Sequence, residues 1–349
     1  MVNSASASSC SVGSLIFRGA YESRTSTAVI VNVVAIVAHA TANYKRQSLD
    51  ALVVVKTLNM TQIDPSSPRL TRQFKTKSGD PITLGVGVGT KWKDLKRTRG
   101  GDQQHENIVQ VLVDALDSGY NHIDGAEAYN THPEIAEAVR RSGISRDRLW
   151  ITTKYGVGLK QFPPRSKDPK EFVEKALSQL ETEYIDLLLI HHPFIDPTYT
   201  NGLDLEAIWR QLEDAKDSGK IREIGVSNFR KLDLEKLFKF ARHKPVVNQI
   251  EFHPYLQNQS PEVVDFSQKN EIQVEAFGPL SPLRIVDDSG NSLDHPLKAT
   301  LAELATKLGR TPAQILLRYT LQKGILPMTT SSQKERTKQA LEVYDFKLE

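Results

Sequence analysis

Four reactive side chains fall at or just beyond the ends of apolar runs. Asp124 falls at the end of the run 121–125, and Tyr129 follows five residues later in the next loop. Lys154 ends the run 149–154, and His191 ends the run 185–191. Ser227 and Asn228 close a further run, and Gln249 lies inside 246–251. Together they suit hydride reduction of a carbonyl, which creates an alkoxide that needs a proton in the transition state. A phenol of ordinary pKa, about 10, is a slow donor at neutral pH. A neighbouring ammonium stabilises the phenolate, and a carboxylate behind it keeps the ammonium charged and in place. A neutral imidazole can hydrogen-bond the carbonyl oxygen and orient it. Tyr129, Lys154, Asp124 and His191 supply these four roles in turn.

Each residue also has a plain structural use. An Asp after a strand commonly caps a turn or helix, and a Lys after Ile151-Thr-Thr can simply reach solvent. One of the pair His191-His192 can be a packed core residue, and Asn228 can cap the following helix. What favours chemistry is that the four arrive on neighbouring strands. Other constellations are incomplete. Gly85-Val-Gly-Val-Gly89-Thr-Lys91 meets neither dinucleotide nor P-loop spacing and reads as a strand-end turn. His191-His192 lacks the spacing of a helical zinc pair, so no metal is expected. No G-x-S-x-G elbow occurs.

The elements that must position these residues begin near Leu70. Phe74–Ile82 predicts a short hairpin around Ser-Gly-Asp. Strands are expected at 83–88, 121–125, 149–154, 185–191, 223–227, 246–251, 273–277 and 325–329. Between them runs helical periodicity. Ile108, Val111, Leu112, Ala115 and Leu116 share one face that stops at Gly119. Phe172, Ala176, Leu177 and Leu180 follow the cap and first-turn proline Asp168-Pro169. Leu205, Ile208, Leu212 and Ala215 end at Gly219. Asp233 precedes Leu234, Leu237, Phe238 and Ala241, and Thr311-Pro312 opens the helix before the last strand. Eight strand-helix units predict a parallel sheet closed as a (β/α)8 TIM barrel, with its active site at the C-terminal ends of the strands.

The chain has 349 residues, 39% of them hydrophobic, which is enough for one barrel of full size. Lys+Arg number 45 against Asp+Glu 42, a net charge of +3 that gives no reason to expect nucleic acid or an anionic membrane as partner. The single cysteine, Cys10, excludes an intrachain disulfide and a Cys-based metal site. Residues 1–68 read as a disordered or weakly structured extension, and 69–349 as the barrel. Met1–Ser26 is Ser-rich, with Arg18 and Arg24 against Glu22, in the manner of a mitochondrial presequence. Ala38-His39-Ala40 has the form of a secretory cleavage site. Met60 as the true start is a third reading. The apolar run from Thr27 to Ala40, or at most Ala42, is too short to span a bilayer. The expected compartment is the cytoplasm, with the mitochondrion as the alternative.

His122-Ile-Asp-Gly-Ala-Glu-Ala-Tyr129, Ile151-Thr-Thr-Lys154, Asp186-Leu-Leu-Leu-Ile-His191-His-Pro193, Ile224-Gly-Val-Ser-Asn-Phe229 and Val247-Asn-Gln-Ile-Glu-Phe-His-Pro254 resemble the aldo-keto reductase family. Asn201-Gly-Leu and Leu256-Gln-Asn-Gln259 are similar to its fungal α-keto amide and 2-dehydropantolactone reductase branch. The resemblance runs from about Leu70 to the end of the chain. It implies an NADPH-binding barrel that reduces aldehydes or activated ketones, with Asp124, Tyr129, Lys154 and His191 as the catalytic set. It places Ser227, Asn228 and Gln249 on the nicotinamide carboxamide, Thr90 by the ribose, and Trp92, with His191, at the substrate mouth. Gly278, Pro279, Leu280, Thr329 and Arg336 complete the cofactor contacts.

Several positions depart from the family's pattern. Phe277 stands where a stacking tyrosine is usual, and Gly278 replaces a serine. Met328 stands where a lysine commonly pairs with the 2′-phosphate of NADP, which leaves NAD as a possible cofactor beside NADP. Arg336 matches the arginine that meets the adenosine phosphate. The family normally continues past Glu349 with a further helix and loop over the pocket, so a more open mouth is expected. The alternative is a weakly catalytic, cofactor-binding redox or regulatory subunit of the same fold. A small-molecule carbonyl is the expected partner, and a monomer or weak dimer the expected state.

Overall fold

A computed structural model describes residues 70–89, 91–98, 104–158, 165–284 and 295–349. The readings of residues 1–69, including Cys10, the apolar run and Met60, lie outside the described residues, as does Thr90. The elements run in the order β1 (Gly85–Gly87), α1 (Lys91–Thr98), α2 (Glu106–Asp117), β2 (His122–Asp124), α3 (His132–Ser142), β3 (Trp150–Tyr155), α4 (Pro169–Gln179), β4 (Ile185–Ile190), α5 (Leu205–Asp217), β5 (Ile221–Ser227), α6 (Lys231–Phe238), β6 (Val247–Glu251), α7 (Val263–Lys269), β7 (Gln273–Phe277), α8 (Pro296–Leu308), α9 (Pro312–Gln322), β8 (Leu326–Thr329) and α10 (Lys334–Leu341). The eight strands pair in sequence, all parallel, and β1 pairs with β8 to close the barrel. The predicted strands are all present. β1 shrinks to Gly85–Gly87, whereas β3 runs one residue past Lys154 and β5 begins two residues before Glu223.

The helices after Asp168 and Thr311 start where their caps predict. The Asp168 carboxylate accepts from Glu171 N at 2.8 Å with Pro169 next in the chain, and Asp204 accepts from Ala207 N at 2.9 Å. Thr311 and Gln314 form a reciprocal capping box ahead of α9. Asp233 lies inside the first turn of α6, where its carboxylate accepts from Arg230 N at 3.0 Å. The predicted stops at Gly119 and Gly219 carry φ of +105° and +80°, a left-handed region that glycine enters freely.

Alternation along the strands separates side chains that face the helices from side chains that face the barrel interior. Ile123, Ile151, Leu188, Ile190 and Val226 face the helices. Trp150, Leu187, Leu189 and Val247 pack with Phe74 and Val246 in a separate cluster at the barrel floor. Phe74 comes from the predicted hairpin, which the structure reduces to one antiparallel bridge, Lys75 to Pro81. Its Ile82 N donates to Phe74 O at 3.2 Å, and the Phe74 ring lies 5.0 Å from that of Trp150. The hairpin therefore plugs the end of the barrel opposite the mouth. Beside it the Asp186 carboxylate, fully buried, accepts from Arg146 at 2.7 Å and Arg222 at 2.6 Å. Close packing inside the barrel also explains Gly225. A Cβ there would meet Leu189 Cδ2 at 2.7 Å and the Val247 carbonyl at 2.8 Å. Among the described residues no helix is long and apolar enough to cross a membrane.

Two histidines are built into these walls without charge. His122 Nε2 meets Thr152 Oγ1 at 3.1 Å, while His132 meets Thr153 Oγ1 at 2.7 Å and Gln179 Oε1 at 3.1 Å. Burial holds both imidazoles down at about 4. In the unfolded chain they bind protons from about pH 6.5 downward, so between pH 6.5 and 4 the unfolded state carries more protons than the folded one. Stability from these groups is therefore full above pH 6.5 and declines on acidification, by up to about 1.4 kcal/mol per pH unit for each. Thermal melts from pH 7.5 to 4.5 should show this decline, and His132→Asn should flatten it. A melting temperature that holds constant from pH 7 to 5 would contradict the assignment.

Candidate active site

Asp124 is the last residue of β2, and the turn Glu127–Tyr129 that follows carries the phenol back over the barrel end. Gly89, just past β1, makes this possible. A Cβ at that position would stand 2.8 Å from Tyr129 Cζ, so the ring lies directly against the glycine backbone. Lys154 is the penultimate residue of β3, and His191 immediately follows β4. The Lys154 ammonium donates to Asp124 Oδ1 at 2.6 Å, Oδ2 at 2.7 Å and the Gly125 carbonyl at 3.0 Å. That ammonium also lies 5.4 Å from the centre of the Tyr129 ring. The Tyr129 and His191 rings meet edge to face, with centroids 5.7 Å apart and planes at 82°. The four residues singled out in the sequence are thus gathered at one rim.

Their electrostatics follow from this packing. Burial pushes the Tyr129 phenol up, the Lys154 ammonium pulls it back, and the Asp124 carboxylate adds to the rise. Burial outweighs the lysine, so the phenol rests above its ordinary value and remains protonated at neutral pH. Burial also opposes the Lys154 charge, but Asp124, Tyr129 and Glu275 together hold the ammonium above its ordinary value. For His191, burial and then the Lys154 charge act in the same direction. They lower the imidazole well below its usual value and keep it neutral.

The rim continues through polar contacts on β5 and β6. Ser227 Oγ donates to Gln249 O at 2.8 Å, and Asn228 Nδ2 donates to His191 O at 2.9 Å and to Ser227 Oγ at 3.1 Å. Asn228 takes a left-handed φ of +62°, and Gln259 Nε2 donates to its Oδ1 at 2.9 Å. Gln259 belongs to the Leu256-Gln-Asn-Gln segment, which therefore supports Asn228 from behind. Gln249 reaches across the lumen, where its Nε2 donates to Asp124 Oδ2 and to Glu275 Oε2, both at 2.9 Å. β2 and β6 are not neighbours, so this bond spans the barrel interior.

The remaining described positions lie on α1, at the end of β7 and in the turn after it, at the end of β8 and on α10. Phe277 ends β7 half-buried, and Gly278 follows with φ of +65°. A Cβ on Gly278 would stand 3.0 Å from Ser281 Oγ and 3.3 Å from Glu251 Oε1. Pro279 and Leu280 continue that turn, and Thr329 ends β8. Met328 is buried, with its sulfur packed over the Gly85 backbone where a side chain would collide. The Gly85–Gly89 run, read as a strand-end turn, holds β1 and the two residues after it, with Gly85 making room for Met328 and Gly89 for Tyr129. Arg336 is exposed on α10. Trp92, expected at the substrate mouth, is only 4% exposed, and its indole N–H donates to Thr330 Oγ1 at 2.9 Å.

Glu275 is the site residue that sequence reasoning missed. It is fully buried on β7, and burial raises its carboxyl to about 7. The available signal was strand alternation, because Gln273, Glu275 and Phe277 share one face and a charged residue stood between them.

Residues 82–349 match the aldo/keto reductase family. The chain is 39% identical over 270 residues to the NADPH-dependent alpha-keto amide reductase of Saccharomyces cerevisiae, covering 77% of this chain and 83% of that one. It is 36% identical over 263 residues to the NAD/NADP-dependent indole-3-acetaldehyde reductase of Schizosaccharomyces pombe, covering 75% and 86%. Among solved structures it resembles a Bombyx mori aldo-keto reductase in complex with NADP, with a TM-score of 0.64 and 27% identity over 80% of this chain and 90% of that one. Strand count, the clustered rim and these matches agree: the chain is an oxidoreductase of the aldo/keto reductase family.

Proposed function

We propose that this protein reduces aldehydes or activated ketones with NAD(P)H, and that Tyr129 delivers the proton. The observation that carries this reading is the Tyr129 ring set edge to face with His191 and backed by the Lys154–Asp124 pair. The substrate oxygen is placed between the phenol and the imidazole. The His191 N–H orients it, and the Tyr129 O–H donates as negative charge develops there. Lys154 stabilises the phenolate left behind, and Asp124 keeps that ammonium charged and directed. A nicotinamide bound at the same rim supplies the hydride. α-Keto amides and keto-lactones are the first candidates, since the relative from Saccharomyces cerevisiae is named for alpha-keto amide reduction.

The rim fits such a cofactor. Ser227, Asn228 and Gln249 present a hydroxyl and two primary amides suited to a carboxamide, and among the described residues no donor occupies Gln249 Oε1. The half-buried Phe277 ring offers a π-face for stacking. Gly278, Pro279, Leu280 and Thr329 would line the remaining length, and the exposed Arg336 guanidinium would meet the adenosine phosphate. Met328 brings no charge to that end, so NADPH is the first candidate and NADH the second.

Two outcomes test the reading. Tyr129→Phe should lower turnover about 100- to 10,000-fold while the cofactor still quenches tryptophan fluorescence; rates near those of the wild type would rule out Tyr129 as proton donor. Arg336→Ala should weaken NADPH about tenfold and leave NADH unmoved, because only NADPH carries the extra phosphate. Equal weakening of both would remove Arg336 from that role.

A further inference from the structure

Glu275 is an expensive residue to keep where it is. Its side chain is fully buried, one carboxyl oxygen has no hydrogen-bond partner, and Asp124 lies close enough to repel it. A leucine or methionine would fill this position without that desolvation cost. What Glu275 does contribute is its other oxygen, which accepts from Gln249 Nε2 at 2.9 Å. The second hydrogen of the same nitrogen goes to Asp124 Oδ2 at 2.9 Å. Both hydrogens of the amide are therefore committed, one to Asp124 and one to Glu275. The opposite orientation would set the Gln249 oxygen against Asp124 Oδ2, a carboxylate oxygen already holding Lys154, so the polarity of the amide is decided by chemistry. Asp124 alone is a weak anchor, since both its oxygens already hold Lys154 at 2.6 and 2.7 Å.

We propose that Glu275 is a positioning residue: with Asp124 it clamps the Gln249 amide nitrogen inside the barrel and leaves the amide oxygen as acceptor for the carboxamide N–H of a nicotinamide. This rests on the cofactor reading above and deepens it. Glu275 touches no reacting atom. It acts through Gln249, and it selects a ring that bears a primary amide over one of similar shape that does not. The clamp also couples the carboxamide contact to the catalytic pair, since Asp124 is shared by Gln249 and Lys154.

The test compares NADPH with its reduced 3-acetylpyridine analogue, in which a methyl group replaces the amide nitrogen. Dissociation constants are read from tryptophan fluorescence quenching on the full chain, without turnover. The wild type is expected to prefer NADPH about tenfold, the worth of one well-placed hydrogen bond. In Glu275→Leu the preference should fall to about twofold or less, mainly through weaker NADPH binding. Glu275→Met, also apolar but unbranched, carries the same test if the leucine variant does not fold. Glu275→Gln, which keeps an acceptor, should restore most of the preference. Equal loss of both ligands in the apolar variants, or an unchanged preference, would show that Glu275 only fills space and overturn the proposal alone. A wild type that binds neither ligand would overturn the cofactor reading and this proposal together.

Discussion

The buried contact between the Lys154 ammonium and the Asp124 carboxylate sets the terms for the whole barrel mouth. An ammonium that is 1% exposed is tolerable only because both carboxylate oxygens and the Gly125 carbonyl receive its hydrogens. Removing one partner of such a pair typically costs about 3–5 kcal/mol, since the other is left charged and dry. The pair therefore ties β2 to β3 near their C-terminal ends and brings the turn bearing Tyr129 back over them. The Lys154 charge also acts on the neighbouring groups, after burial. Lys154 depresses His191 and draws against the burial that raises Tyr129. Burial, with Lys154 acting in the same direction on His191 and against it on Tyr129, thus leaves a neutral imidazole beside a protonated phenol.

Around it the barrel divides by level. The floor is apolar and aromatic, with Trp150, Leu187, Leu189 and Val247 sealed from below by Phe74. The rim is polar, and its members are connected: Lys154 to Asp124, Asp124 to Gln249, Gln249 to Glu275, and Ser227 back to the Gln249 backbone. This connected polar network joins side chains from five strands, with one Glu275 oxygen left without a partner. The glycines complete the arrangement by subtraction. Gly225 lets β5 approach Leu189 and Val247, and Gly89 lets the Tyr129 ring lie on the backbone.

Much of this was legible in the chain itself. Eight apolar runs separated by amphipathic segments imply a parallel closed sheet, and the caps at Asp168 and Thr311 mark true helix starts. Asp124, Tyr129, Lys154 and His191 stood out because strand ends are local features, written as an abrupt change from apolar to polar. The same locality explains what was hidden. Trp92 was expected at the substrate mouth, and what the sequence could not show is that its indole N–H donates to Thr330, 238 positions away in the chain. Likewise the hairpin reading of Phe74–Ile82 captured the turn and missed its purpose, because the partner of Phe74 is Trp150 on a distant strand.

Periodicity within a segment reports which face of that segment is buried, and so the sequence by itself determined the elements, their order and which residues reach the rim. It carries no record of how far the sheet is staggered when it closes. That stagger alone decided that Gln249 on β6 meets Asp124 on β2 across 125 positions of chain, with Glu275 on the other hydrogen of the same amide. Tertiary structure also reversed the expected balance on Tyr129. Proximity of a lysine is readable from strand order, but the depth of burial that outweighs it exists only once the walls have closed.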